Sequence, residues 1–137
     1  MKNSIFFILV VLLLAGCQTK TVTGETVTVE SGSYQNISPN ELNSMLKEKD
    51  FVFVNVHIPF AGDISGTDLS IPYDQIATPE SLSILPSDKN AKIVLYCRSG
   101  RMSAIAAEAL VSFGYTNIWD LDGGMVKWEQ AGYELEK

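Results

Sequence analysis

Arginine is nearly missing from this 137-residue chain: Arg98 and Arg101 are the only two, against eight lysines, and the formal net charge is -6. A chain so poor in clustered positive charge is not a general nucleic-acid binder, whose phosphate contacts need Lys and Arg together. Histidine is scarcer still, with His57 alone, and the cysteines are Cys17 and Cys97. No second His and no paired Cys stand at ligand spacing, so neither a metal site nor a cofactor is expected. A membrane-spanning run is lacking as well, because the apolar stretch Ile5 to Ala15 (IFFILVVLLLA) is about half of the ~20 residues needed to cross a bilayer. Internal repeats are absent. What is present is an ordinary globular composition, 46% hydrophobic and 19% charged, in a length suited to one domain with short extras.

The two cysteines sit in different settings. Cys17 closes the apolar N-terminal run, which follows Lys2 and reads as a secretory signal. Its end, Leu14-Ala15-Gly16-Cys17, resembles the lipobox of bacterial lipoproteins. That resemblance implies a signal peptide at 1–16, acylation (palmitate) at Cys17, and lipid anchoring to the cell membrane on its extracytoplasmic or periplasmic face. Two acyl chains would be needed, since one binds only marginally. Residues 17–33 are then the lipidated Cys and a flexible tether. The Thr/Val alternation at 21–29 has strand propensity, so a short strand laid on the domain is the alternative.

The folded domain is expected over 34–137. Ser38-Pro39-Asn40-Glu41 carries an N-cap Ser, a Pro at the first helical position and a Glu at the third, which predicts a helix from 39 to about 48. Phe51 to Val56 and Lys92 to Tyr96 read as short buried strands. Between them Thr78-Pro79-Glu80 caps a short helix ended by Pro86, and 57–77 is largely loop. Arg101 to Phe113 is an Ala-rich buried helix stopped by Gly114. Asn117 to Leu121 is a strand, Asp122-Gly123-Gly124 a turn, and Met125 to Ala131 a helix. This alternation predicts an α/β domain with a mostly parallel sheet.

Such sheets bind ligands at the carboxyl ends of their strands, and Cys97 lies at one. The loop Cys97-Arg98-Ser99-Gly100-Arg101-Met102-Ser103 joins a strand to a helix, so its amides can surround an anion at the helix N-terminus. The helix end and both arginines favour the thiolate, the nucleophilic form of the Cys. A buried structural Cys would not explain that company.

CRSGRMS after a strand and before an Ala-rich helix resembles the active-site loop of rhodanese-family sulfurtransferases. LDGGMVKWEQAGYEL, with Gly123, Gly124, Trp128 and Gly132, is similar to the family's C-terminal signature, and FGYTNIWDL to the strand before it. Gly62 to Pro72 matches more weakly. The likeness runs from about Tyr34 to the C-terminus. It implies a three-layer fold with a five-stranded parallel sheet flanked by helices, and Cys97 as the carrier of a persulfide. Arg98, Ser99, Gly100, Arg101 and Met102 would bind a small anionic sulfur donor, and a thiol, including a protein thiol, or cyanide would accept the sulfur. Two departures stand out. Asn55-Val56-His57 replaces the Asp-x-Arg of many members, so the ion-pair network there is rebuilt or missing. Met102 stands where many active members are basic, which weakens capture of a doubly charged donor.

Cys-dependent phosphatases use similar loop logic, but their Arg lies six residues after the Cys, and position 103 is Ser. His57 is a structural polar residue on this reading, since sulfur transfer from a thiolate needs no separate base. The rival to an enzyme is a non-catalytic interaction or redox-sensing module, because fold does not fix function.

Overall fold

The computed structural model describes Gly16 and residues 20–137; the leader run and Cys17, with the anchor expected there, lie outside the described residues. The first described element is a strand, β1 (Glu25–Val29), joined by the two-residue turn Glu30-Ser31 to β2 (Gly32–Ile37). The tether expected over 17–33 is therefore a β-hairpin from Glu25 onward, and the alternative of a short strand is the one found. The Thr/Val alternation explains it: Val27 and Val29 pack against the core while the intervening threonines point outward.

Ser38 then starts α1 (Pro39–Leu46) through a capping box, in which Glu41 N donates to Ser38 Oγ and Ser38 N donates to Glu41 Oε2 at 2.8 Å. Leu42 is the fully buried anchor of this helix, contributing roughly 1.5–3 kcal/mol by its burial. β3 (Val52–Asn55) follows. The stretch expected to be loop holds a two-residue strand, β4 (Leu69–Ser70), and a 3-10 turn at Tyr73–Gln75. The short helix α2 (Pro79–Ile84) begins at Thr78, whose side chain accepts from Ser81 N. β5 (Ile93–Tyr96), α3 (Arg101–Ser112), β6 (Ile118–Leu121) and α4 (Gly124–Gln130) complete the chain close to their expected bounds.

Among the described residues the sheet has six strands in the order β1-β2-β6-β5-β3-β4. Five are parallel, as expected, and β1 adds an antiparallel sixth at one edge. The side chains of β5 alternate between two cores: Ile93 and Leu95 meet α3 residues Ala106, Ala107 and Leu110, while Val94 and Tyr96 meet Leu42, Met125 and Trp128 of α1 and α4. A strand buried on both faces has to be apolar at every position, which is why it reads as a continuous hydrophobic run. Among the described residues no helix is long and apolar enough to cross a membrane.

Candidate active site

Cys97 is the first residue beyond β5, at the carboxyl ends of the parallel strands between β3 and β6. From here β5 leads on through α3 to β6 on one side while β3 leads to β4 on the other, the switch in strand order beside which open α/β sheets bind ligands. Cys97 is 1% exposed and lies on the α3 side of the sheet. The chain then turns into α3 through Gly100, whose φ of 103° is a left-handed conformation suited to glycine. That turn aims the Gly100 N–H at Cys97 Sγ, 3.0 Å away. Ser103, fully buried in the first turn of α3, places its Oγ 3.4 Å from the same sulfur and donates to Gly100 O at 3.3 Å.

The start of α4 holds this loop from the other side. Met125 N donates to Cys97 O and Val126 N to Arg98 O, both at 2.9 Å. In a planar trans peptide the N–H opposes the C=O, so binding these two carbonyls turns the amides of Arg98 and Ser99 away from α4. The contact is close enough that a Cβ on Gly124 (φ 56°) would lie 2.3 Å from Cys97 O. The Gly-Gly pair of the sequence signature thus belongs to the Cys97 loop, as the part that lets α4 approach it.

The other expected site residues divide. Arg98, Ser99 and Arg101 are exposed, and neither arginine makes an ion pair among the described residues. Both guanidinium groups remain available to an anion. Met102 is half-buried and packs against the core on the α3 side. It follows that Met102→Arg should lower stability by about 1–3 kcal/mol, by forcing a polar group inward, without improving donor capture. Thermal unfolding measured beside thiosulfate kinetics checks this; a lower KM at unchanged Tm would show that position 102 reaches the donor after all.

Beneath the loop, the Asn55-Val56-His57 departure is rebuilt as a hydrogen-bond network. Asn55 Nδ2 donates to Gly62 O at 3.0 Å and to Asp63 Oδ1 at 2.9 Å, while Asn55 Oδ1 accepts from His57 N. Tyr96 OH donates to Asp63 Oδ1, meets Thr67 Oγ1, and accepts from Ile64 N. Burial pushes the Tyr96 phenol up, so it stays a neutral donor. Burial, and then the nearby Arg98 guanidinium, hold the His57 imidazole below its usual range. His57 is therefore neutral at neutral pH, and its ordered contact is through its backbone.

Asp120 was not among the expected site residues. It lies within β6, 3% exposed, with Oδ1 lacking any hydrogen-bond partner. Its trace in the sequence is a carboxylate inside the strand NIWDL, an acidic residue at a position facing the core. Burial pushes its carboxyl up to about 7, opposed by a hydrogen bond from Ser103 and reinforced by Asp122. A carboxyl whose folded value exceeds its unfolded one of ~3.9 binds more protons in the native state. It costs nothing below that unfolded value, and its penalty grows as pH rises toward the folded one. Asp120→Asn should therefore stabilise the domain above pH 7, by up to about 4 kcal/mol, with the advantage shrinking toward pH 4. Denaturant unfolding at several pH values measures it.

A groove of about 490 Å³ between residues 20–23 and α1 contains no residue of the Cys97 loop. No cluster of potential metal ligands occurs among the described residues either.

Comparison with known proteins agrees with this geometry. The model of the rhodanese-like domain matches residues 38–131, leaving the β1–β2 hairpin outside it. A rhodanese-related protein from Thermoplasma volcanium superposes with a TM-score of 0.62 at 30% identity, covering 74% of this chain and 97% of that one. A rhodanese-like domain protein from Staphylococcus aureus gives 0.60 at 30% identity, covering 74% and 98%. An uncharacterized protein of Synechocystis is 32% identical over 103 residues, which are 74% of this chain and 55% of that protein. The tRNA uridine(34) hydroxylase of Erwinia tasmaniensis is 30% identical over 98 residues, 69% of this chain, and the chain spans 28% of that protein's length. With the fold, the Cys97 loop and the family match in agreement, the chain belongs to the rhodanese-like domain family.

Proposed function

We propose that this chain is a membrane-anchored, extracytoplasmic sulfurtransferase that carries sulfane sulfur as a persulfide on Cys97. The observation that carries this reading is the Gly100 N–H held 3.0 Å from Cys97 Sγ at the N-terminal end of α3. An amide and a helix end so placed stabilise negative charge on sulfur, first as thiolate and then as persulfide. The Cys97 thiolate attacks the outer sulfur of thiosulfate or of another persulfide. The donor's S–S bond breaks, sulfite or a thiolate leaves with the electron pair, and the terminal sulfur stays on Cys97. An acceptor thiolate or cyanide then attacks that outer sulfur and restores the Cys97 thiolate. Arg98 and Arg101, exposed and without ion pairs among the described residues, attract the anionic donor. The tRNA named in one relative's activity is not carried over, because this chain matches a minor part of that protein.

A second reading, a non-catalytic interaction or redox-sensing module, draws on the 1% exposure of Cys97. Intact mass after thiosulfate treatment separates the two. Gain of one sulfur atom at Cys97 supports transfer, and no gain with thiosulfate or any persulfide donor leaves the module.

Membrane attachment rests on Leu14-Ala15-Gly16-Cys17. Cys17→Ser should remove the acylation site and shift the protein out of the detergent phase. Unchanged detergent partitioning of that variant refutes the anchor without touching the sulfur chemistry.

A further inference from the structure

The chain joins the domain at the end of the sheet away from Cys97. Residues 20–23 lie along α1, in the groove they form with Asn40, Ser44 and Lys47, and at Gly24 (φ 65°) the backbone turns into β1. This strap is packed onto the domain. A Cβ on Gly24 would lie 2.8 Å from Asn36 O, near the carboxyl end of β2, and Val22 packs against the core on the α1 and α4 side. Lys20, four residues before Gly24, shares a groove with Glu48, Asp50 and Lys92, next to the starts of β3 and β5. Traced backwards from Gly24, the strap therefore runs from the strand ends, where Cys97 lies, to the strand starts.

Two lengths set the consequence. Lys92 precedes the first residue of β5 and Cys97 follows its last, so at ~3.3 Å per residue the two ends of the sheet are roughly 16 Å apart here. Cys17 stands three residues before Lys20, a span of at most about 11 Å. A lipid on Cys17 is thus held to the strand starts.

The surface at that pole suits a bilayer. Lys20, Lys47, Lys49, Lys89 and Lys92 are five of the chain's eight lysines, with Lys49 paired to Asp68 at 2.6 Å and Lys92 to Asp50 at 3.2 Å. Glu30, Glu48 and Asp88 are the other carboxylates at the strand starts, so charge balances there and the formal excess of six negative charges lies elsewhere. Thr116 N donates to Lys89 O at 2.9 Å, which holds the turn after α3, and with it Phe113 (50% exposed), at the same pole. Lysines beside an exposed aromatic match the phosphates and the interfacial layer of an anionic bilayer, whereas the acid-rich remainder is repelled by it. Arg98 and Arg101, at the other end of the sheet, are beyond the reach of the tether.

We propose that the strand-start pole is the membrane-facing surface of the domain, so that the Cys97 crevice opens on the aqueous side. This rests on the lipid at Cys17 proposed above, and it adds a substrate class: the sulfur donor and acceptor reach Cys97 from water and not from within the lipid.

Lysine acetylation, read by peptide mass, tests the orientation. The full acylated chain is labelled on vesicles of phosphatidylethanolamine and phosphatidylglycerol, with Cys17→Ser in solution as the reference. Lys20, Lys47 and Lys89, exposed and without ion pairs among the described residues, should be protected by about threefold or more on the vesicle. Lys127, on the helix that meets the Cys97 loop and 51% exposed, should be labelled as in the reference. Protection of Lys127 equal to or above that of the three pole lysines overturns the proposal, as does labelling of those three at the reference rate. Should the isolated chain carry no lipid, the anchor fails on its own account. Cys17 of the Cys97→Ser variant is then joined to a maleimide lipid in the same vesicles, and the same lysines decide the orientation against the uncoupled protein.

Discussion

Cys97→Ser is expected to abolish sulfur transfer, lowering its rate by about 10³-fold or more, because Ser Oγ cannot attack and hold a sulfane sulfur. The fold should survive. Ser is close to Cys in volume, and the site already holds the Ser103 hydroxyl and the Gly100 N–H as partners for the new hydroxyl, so no buried polar group is left unpaired. The readout is double: thiosulfate adds one sulfur to wild-type mass and none to the variant, while the two melting curves stay close. His57→Ala should cost far less, since His57 is neutral near pH 7 and its ordered contact runs through its backbone N–H. Transfer that persists in Cys97→Ser would falsify the Cys97 persulfide.

Gly124→Ala should do nearly as much damage from α4. Its Cβ would sit 2.3 Å from Cys97 O and 2.8 Å from Arg98 C and O, all backbone atoms that cannot swing aside. The left-handed φ of 56° adds about 1–2 kcal/mol for any residue with a Cβ. Either the loop moves or α4 does, and both break the Met125 N–Cys97 O and Val126 N–Arg98 O bonds that orient the loop amides. Gly123→Ala is the control. Its Cβ meets the Lys127 side chain, a flexible group that can move at the loss of an exposed pair with Asp122, worth about 0–1 kcal/mol. Sulfur transfer should therefore collapse in Gly124→Ala and largely persist in Gly123→Ala, with both melting earlier than wild type. Equal activity in the two variants would mean that α4 does not set the geometry of the Cys97 loop.

The features legible without the fold are those whose causes lie within a few residues along the chain. The Ser38/Glu41 box starts α1, Thr78 starts α2, and Gly100 turns the chain into α3, because capping and backbone preference act between residues at most four apart. The apolar run of β5 is legible for the same reason: burial on both faces leaves no polar position in it. The Thr/Val alternation at 21–29 carried a strand signal, but a strand at a sheet edge forms only if its inner face has something to cover, and that something is β2 and the α3-side core. Met102 was legible both as a loop residue and as the start of an apolar helix, and its packing against the α3-side core follows from how α3 sits on the sheet. Long-range packing alone brings Gly124 onto Cys97 O and buries Asp120. Both follow from the parallel order of β5 and β6, and no local preference encodes which carboxylate of an acidic chain will be the one buried.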